Sequence, residues 1–351
     1  MNYNEAMEHC IFRFCSGSRQ YGTNREDSDY DFRGVFLAPL EHAFNLFNTS
    51  FVGQGTISEH LREAIHSLEI GDYHVVDERL RLASAVDHGD LNFSVGTVSK
   101  PGDDEELQEL RKFLKLASES NPNIVEFLWV DRLITHKTKV WDLIQENRDM
   151  FLSKRARYTF SGYAVAQLRR IQVHRQYLLK PLTHPPTRAE FGLPEHTTIP
   201  KEFQKAVLSI PNGYIQDGLK DMVRKERSFH EAMDNWISFK KWETERNPAR
   251  REIEKKFGYD CKHASHLVRL YKMAKEILTE RKVHVYRPDR EELMAIRNGE
   301  WKFEQLLEFS EKFDAELNDI YEKSDLRRQP DHKGIANLYK KICSEHYGID
   351  I

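Results

Sequence analysis

The sequence predicts an α+β chain: a small mixed sheet with helices near the N-terminus, then a mainly helical remainder. Three observations carry that expectation. Phe12-Arg13-Phe14 and the run from Asp29 to Leu37 alternate with the period of two that a half-buried strand needs. Gly17 and Ser18 break the first run, and Arg19 to Gly22 suits the opening turn of a helix. From about Lys154 onward, apolar residues return at helical spacing.

The elements follow in order. On the strand after Asp29, residues i and i+2 share a face. Asp29, Asp31 and Arg33 therefore point one way and Tyr30, Phe32 and Phe36 the other. Asp104 to Ser118 reads as an amphipathic helix, with Leu107, Leu110, Phe113, Leu114 and Ala117 at helical spacing. Asn121-Pro122 opens another, because proline suits a first helical turn. Residues 154–180 form a basic helix, and the five prolines in 181–200 mark an extended excursion. Helices are expected around 216–245 and 261–281, with a short strand at Lys282–Tyr286. Asp289-x-x-Glu292 has the form of a capping box for a helix ending near Asn298-Gly299, and a long helix covers 302–323.

The whole-chain numbers bound the function. With 351 residues, the chain is long enough for two domains with cores of their own. It is 39% apolar and 31% charged and has no long apolar run, so no membrane span is expected. No secretion leader is apparent, and four cysteines without paired spacing read as free thiols, so the expected location is the cytoplasm. The net charge of −3 conceals an asymmetry. Residues 1–150 carry 15 basic and 26 acidic side chains, while residues 151–351 carry 38 and 30. An acidic metal-binding half beside a basic half suits an enzyme that brings a nucleotide to a polyanion; basic residues spread over solvated helices give the same count.

The chemistry concentrates in Cys15-Ser16-Gly17-Ser18-Arg19-Gln20-Tyr21-Gly22-Thr23 and in Asp27-Ser28-Asp29-Tyr30-Asp31-Phe32-Arg33-Gly34-Val35. A glycine turn offers backbone N–H groups to phosphate, and two carboxylates on one strand face hold a divalent metal. A Gly-Ser turn or an Asp-x-Asp alone is commonplace. Their order and the alternating apolar residues after them make the pair specific.

Gly17-Ser18, Gly22 and Ser28-Asp29-Tyr30-Asp31 resemble the signature of the DNA polymerase beta-like nucleotidyltransferase superfamily. Within it, the chain resembles the predicted nucleotidyltransferases associated with RNA ligases. Arg33-Gly34-Val35-Phe36, Leu110-Arg111-Lys112-Phe113, Asn121-Pro122-Asn123 and Glu126-Phe127-Leu128-Trp129 continue the likeness. Phe160-Ser161-Gly162-Tyr163 and the stretch from Gly258 to Leu270 carry it into the helical half.

The resemblance implies a catalytic domain over 1–135 and a helical substrate-binding domain over 150–351, with residues of about 47–100 as an insertion rich in acids and His. It implies Mg²⁺ or Mn²⁺ held by Asp29, Asp31 and a third acid, placed at Asp104. Asp103, Glu105 and Glu106 crowd that position, and an acid at a helix start also answers the helix dipole. Gly17, Ser18, Arg19, Tyr21 and Gly22 are the nucleotide-binding candidates. Lys262, His266 and Arg269 join them, at i, i+4 and i+7 on one helix face. Cys261, His263 and His266 resemble part of a zinc set, but no second ligand pair stands at suitable spacing.

The expected reaction is transfer of an NMP from an NTP such as ATP to a hydroxyl of an RNA or tRNA end, in a repair setting beside an RNA ligase. The alternatives are an AMPylator-like enzyme acting on a protein hydroxyl and a noncatalytic NTP- or RNA-binding module. A distance between Asp104 and the Asp29–Asp31 pair would favour the module.

Overall fold

A computed structural model describes residues 2–43, 51–53, 59–70 and 104–350, apart from 197, 212, 213 and 215. A five-stranded mixed sheet organises its N-terminal part. The strands are β1 (Cys10–Cys15), β2 (Asp31–Phe36), β3 (Phe51–Gly53), β4 (Asp104–Glu109) and β5 (Ile134–Lys137), in the spatial order β3-β4-β2-β1-β5. β1 is antiparallel to β2 and to β5, and β3 is antiparallel to β4. Among the described residues the one parallel pair is β2 with β4, in which Asp31 stands opposite Asp104, Arg33 opposite Glu106 and Val35 opposite Gln108.

β1 lies between two partners, and all six of its residues are buried. Its two faces are chemically different, as the strand period requires. Phe12 stacks on Trp141 with ring centroids 4.1 Å apart, and Phe14 meets Phe127 edge-on at 4.8 Å. On the other face, Cys15 and Phe32 pack with Leu61 and Ile65 from the helix Glu59–Ile70 and with Leu133. Arg13 shares that face. Its guanidinium makes a two-pronged bond to Glu105 on β4, Nε to Oε1 at 2.6 Å and Nη2 to Oε2 at 2.9 Å.

Several sequence expectations hold closely. The alternation in β2 is as read: Phe32 and Phe36 are buried, whereas Asp31 and Arg33 share the opposite face. Helices cover Ala156–Leu179, Asp217–Glu245, Cys261–Glu280 and Phe303–Lys323. Asn121 caps the helix Pro122–Val125, accepting from the Asn123 backbone N–H at 3.0 Å. The helix after Asp289 ends at Arg297, followed by Asn298 and by Gly299 at positive φ.

Three expectations are corrected. The segment from Asp104 to Ser118 is not one helix: Asp104–Glu109 is a strand, and the helix starts at Leu110. Glu105 and Leu107 alternate into the core while Asp104, Glu106 and Gln108 face the other way; the inward acid is matched by Arg13, 92 residues earlier. Glu109 then caps the helix through the Arg111 and Lys112 backbone N–H groups at 2.8 and 3.1 Å. Lys282–Tyr286 forms no strand. Asp289 makes no side-chain cap, because its carboxylate binds Arg287 at 2.8 Å and Lys272 at 3.1 Å instead. Burial alone would raise the Asp289 pKa, but those two cations outweigh it and hold it below the usual carboxylate range.

Contacts divide the chain into two compact units, residues 1–167 with 264–351, and residues 168–263. This contact division is drawn differently from the expected 1–135 and 150–351 partition. Residues 264–351 join the N-terminal unit through bonds such as that of the Tyr347 hydroxyl to the Ala38 carbonyl. Within residues 168–263, Arg246 bridges Glu254 and Asp260, and the Asp260 carboxylate also accepts from the His263 ring at 2.7 Å. Part of the expected 47–100 insertion, residues 47–50, 54–58 and 71–100, lies outside the described residues. No described helix is long and apolar enough to cross a membrane.

Candidate active site

The glycine turn and the first strand acid are in direct contact. Gly17 has φ +68°, in the left-handed region that penalises a side chain. A Cβ built there would stand 2.5 Å from Asp31 Oδ2. The Ser16 backbone N–H and hydroxyl both donate to the Asp31 carbonyl, at 2.6 and 3.1 Å, tying the turn to the start of β2. The short helix Gly17–Tyr21 follows and closes on Gly22, also at positive φ. Gly17→Ala is therefore expected to cost about 1–3 kcal/mol from backbone strain alone and to push Asp31 away from the turn. Urea denaturation reads the first effect and nucleotide affinity the second. An unchanged midpoint and affinity would show that the turn tolerates a side chain.

Asp31 and Gly17 open onto a pocket of about 400 Å³. Three carboxylates line it: Asp31 from β2, Glu106 from β4 and Glu126 from the turn after Pro122–Val125. Arg33 lines it too, with Nη2 2.9 Å from Asp104 and Nε 4.0 Å from Glu106. The far wall carries Leu116, Asn121, Asn123, Ile124 and Phe127, and Gln108 completes the β4 side. Hard oxygen donors from Asp31 and Glu106 in one pocket suit a hard divalent cation of the Mg²⁺ or Mn²⁺ type. Among the described residues, no group of three or more His, Cys, Asp or Glu side chains is arranged as a metal site.

Tyr21 and Glu126, both lining the pocket, form a trio with Arg269, in which Glu126 and Arg269 are buried and Tyr21 is half-buried. The Tyr21 hydroxyl donates to Glu126 Oε1 at 2.6 Å, Arg269 Nη1 donates to Glu126 Oε2 at 3.0 Å, and the Arg269 guanidinium lies 3.6 Å over the Tyr21 ring. Burial pushes the Tyr21 phenol well above its ordinary pKa, so it stays a donor to Glu126 throughout the physiological range. Arg269 thus holds two residues of the pocket in place.

The remaining sequence candidates are distributed as follows. Asp29 is exposed, in the irregular lead into β2. The Asp104 side chain, paired with Arg33, is 54% exposed, and it is Glu106, two residues on, that lines the pocket. Arg19 is buried behind the turn, bound to Glu69 at 3.0 Å and to the Ser28 carbonyl at 2.9 Å, and stacked 3.7 Å over Tyr30. Ser18 is half-buried, and its carbonyl accepts from the Thr23 backbone N–H at 2.8 Å. Gly22 sits against Tyr286, whose ring a Cβ there would strike. Lys262 is exposed and His266 half-buried on the helix that carries Arg269. Glu106, Gln108 and Glu126 were absent from the sequence-derived site. The signal for the first two is the strand alternation within Asp104–Glu109, which a helical reading hides.

A family model described as the RNA repair pathway DNA polymerase beta family matches residues 3–69 and 103–207. The matched segments contain Gly17, Asp31, Glu106 and Glu126, and leave residues 70–102 between them unmatched. Residues 47–69 of the expected 47–100 insertion are therefore matched by the family model. No curated protein and no solved structure matches the chain.

Proposed function

From a chain that belongs to the RNA repair pathway DNA polymerase beta family, we propose a metal-dependent nucleotidyltransferase that moves an NMP from an NTP to a hydroxyl at an RNA or tRNA end and releases pyrophosphate. The family supports the nucleotidyltransferase-like role. The observation that carries the fuller reading is the Asp31 carboxylate seated on the Gly17 turn, in one pocket with Glu106.

Each residue then has a task. The backbone N–H groups of the turn after Ser16 receive the phosphates, and Gly17 lets the ligand approach where a side chain would intrude. Arg33 contributes a fixed positive charge to the same face. Asp31 and Glu106 would hold Mg²⁺ or Mn²⁺, with Asp29 and Asp104 each two residues earlier on the same two segments. Such a metal supplies charge neutralisation at the phosphates and a lowered pKa for the acceptor hydroxyl. The acceptor oxygen forms a bond to the α-phosphorus, the bond to the bridging oxygen breaks, and the hydroxyl proton passes to a pocket carboxylate. Glu126, fixed by Tyr21 and Arg269, keeps the far wall rigid. The net positive charge of residues 151–351 favours a polyanionic acceptor. An RNA ligase is the natural functional partner of an enzyme that prepares RNA ends.

The test is to incubate the protein with Mg²⁺ or Mn²⁺, each α-labelled NTP in turn, and total cellular RNA. Label entering RNA with one preferred base is the expected result. Label entering protein would replace the RNA acceptor with a protein hydroxyl. Nucleotide binding without transfer would reduce the chain to a noncatalytic module.

A further inference from the structure

An aromatic ring is held at the surface beside the glycine turn. Tyr286 is 43% exposed, although its neighbours Val285 and Arg287 are 3% and 0% exposed. Arg287 anchors the segment. Its guanidinium binds Glu276 at 2.6 and 2.8 Å and Asp289 at 2.8 Å, and its backbone N–H donates to the Tyr21 carbonyl at 3.1 Å. Tyr286 is thereby pinned with its ring against Gly22.

Two arginines gather on that ring. The Arg132 guanidinium lies 4.2 Å from its centroid and that of Arg290 5.4 Å. Neither guanidinium makes a hydrogen bond or an ion pair with any described residue. Asp289 and Glu292, on either side of Arg290 in the sequence, are engaged by Lys272. Both arginines are partly exposed, and none of their nitrogens is buried without a partner, so their N–H groups reach solvent. Contact with a ring face orients a guanidinium without using any of its five N–H donors. Two unpaired cations on one ring also repel each other, and an anion bound to both would remove that repulsion. Gly22 stands five residues after Gly17, about 7–8 Å along a helix. A strand that brings its end to the pocket has its next phosphates over the surface nearby.

We propose that Arg132, Tyr286 and Arg290 form a docking site for the RNA acceptor, in which the two guanidiniums bind backbone phosphate and the tyrosine ring holds them in place. The inference rests on the nucleotidyltransferase reading and adds to it where the acceptor strand is gripped. Arginine forks take phosphate oxygens bidentately, and such contacts position a strand without reading its sequence. The triphosphate of a free NTP offers the same chemistry, and the experiment separates the two sources.

The wild type is compared with two double variants. Arg132→Gln/Arg290→Gln removes both charges, whereas Arg132→Lys/Arg290→Lys keeps the charges and removes the forks. Dissociation constants are measured for a fluorescent single-stranded oligoribonucleotide over a range of salt, and for nonhydrolysable analogues of the four NTPs in Mg²⁺. Thermal unfolding controls for the fold. The glutamine pair is expected to bind RNA about tenfold or more weakly, with a salt slope shallower by about 1.4, which is about 0.7 for each of two lost phosphate contacts. The lysine pair is expected to keep the slope and still lose affinity severalfold. Nucleotide affinity and unfolding temperature are expected to stay at the wild-type values. A glutamine pair that binds RNA like the wild type overturns the proposal and leaves the nucleotidyltransferase reading in place. A lysine pair that binds RNA like the wild type reduces the cluster to diffuse charge and also overturns it. Lost nucleotide affinity with RNA binding intact transfers the arginines to the NTP and overturns it as well. A fall in unfolding temperature that accounts for the lost affinity makes the cluster structural, with the same consequence. A wild type that binds no RNA overturns the RNA acceptor and the proposal together, and one that binds no nucleotide overturns the nucleotidyltransferase reading and the proposal with it.

Discussion

Asp31→Asn is expected to lower nucleotide transfer about a thousandfold or more while the protein remains folded. Asparagine keeps the shape and removes the charge. The backbone bonds that Asp31 makes to Ser16 run through its carbonyl and survive the change. What is lost is a carboxylate at the contact between the glycine turn and the strand. Metal-assisted stabilisation of phosphoryl charge contributes several kcal/mol, and each ~1.4 kcal/mol is a factor of ten in rate. The measurement is the single-turnover rate of label transfer, with thermal unfolding as a control on the fold. A variant that transfers label at the wild-type rate would remove Asp31 from the mechanism. Parallel Asp29→Asn, Asp104→Asn and Glu106→Gln variants then rank the other acids, with Glu106 expected to be the most sensitive of the three.

Glu105→Ala is expected to cost about 3–5 kcal/mol of folding stability, the usual consequence of removing one partner of a buried ion pair. Glu105 is fully buried on β4, and Arg13 is buried at the centre of β1. Alanine would leave the Arg13 guanidinium without its two-pronged carboxylate, in a region where water cannot replace it. Against a typical domain stability of about 5–15 kcal/mol, that is a large fraction. The loss should appear as a lowered midpoint in urea. The double variant Arg13→Met/Glu105→Leu is expected to recover most of it, because a buried pair exchanged for apolar residues of similar volume is often near neutral. If Glu105→Ala alone unfolds at the wild-type midpoint, the pair contributes nothing to stability.

The strand that carries Glu105 also shows what a sequence conceals. β2 was legible because its inward positions are Phe32, Gly34 and Phe36, so polarity and burial coincide. β4 reads Asp-Glu-Glu-Leu-Gln-Glu, and its inward positions include an acid. The acid is tolerable only because Arg13 neutralises it from 92 residues away, and a local pattern contains no trace of that. Leu107 and Leu110 fall three apart, which fits a helix as well as a strand that turns into one. Read as a helix, this segment hides that Asp104, Glu106 and Gln108 share one face of a strand. The helix with Lys262, His266 and Arg269 was placed correctly, and Leu267, Leu270, Tyr271 and Ala274 are buried as its spacing requires. The commitment of Arg269 to Glu126 depends on residues 143 positions apart, and only the fold reveals it.

The turn that follows the glycines is closed from far downstream. The Tyr21 carbonyl accepts from the Arg287 backbone N–H at 3.1 Å, the Thr23 carbonyl accepts from Arg297 at 2.6 Å, and Arg25 donates to the Arg297 carbonyl at 3.3 Å. The bonds of Arg25 and Arg297 join residues 272 and 274 positions apart. During synthesis, the ribosome therefore releases every pocket carboxylate long before it releases the residues that hold this loop. A nascent chain halted after residue 207, where the family-matched portion ends, would carry Asp31, Glu106 and Glu126 but neither these clasps nor Arg269. Completion of the pocket is thus among the last events of the molecule's making, and translation finishes it only once the C-terminal helices have emerged.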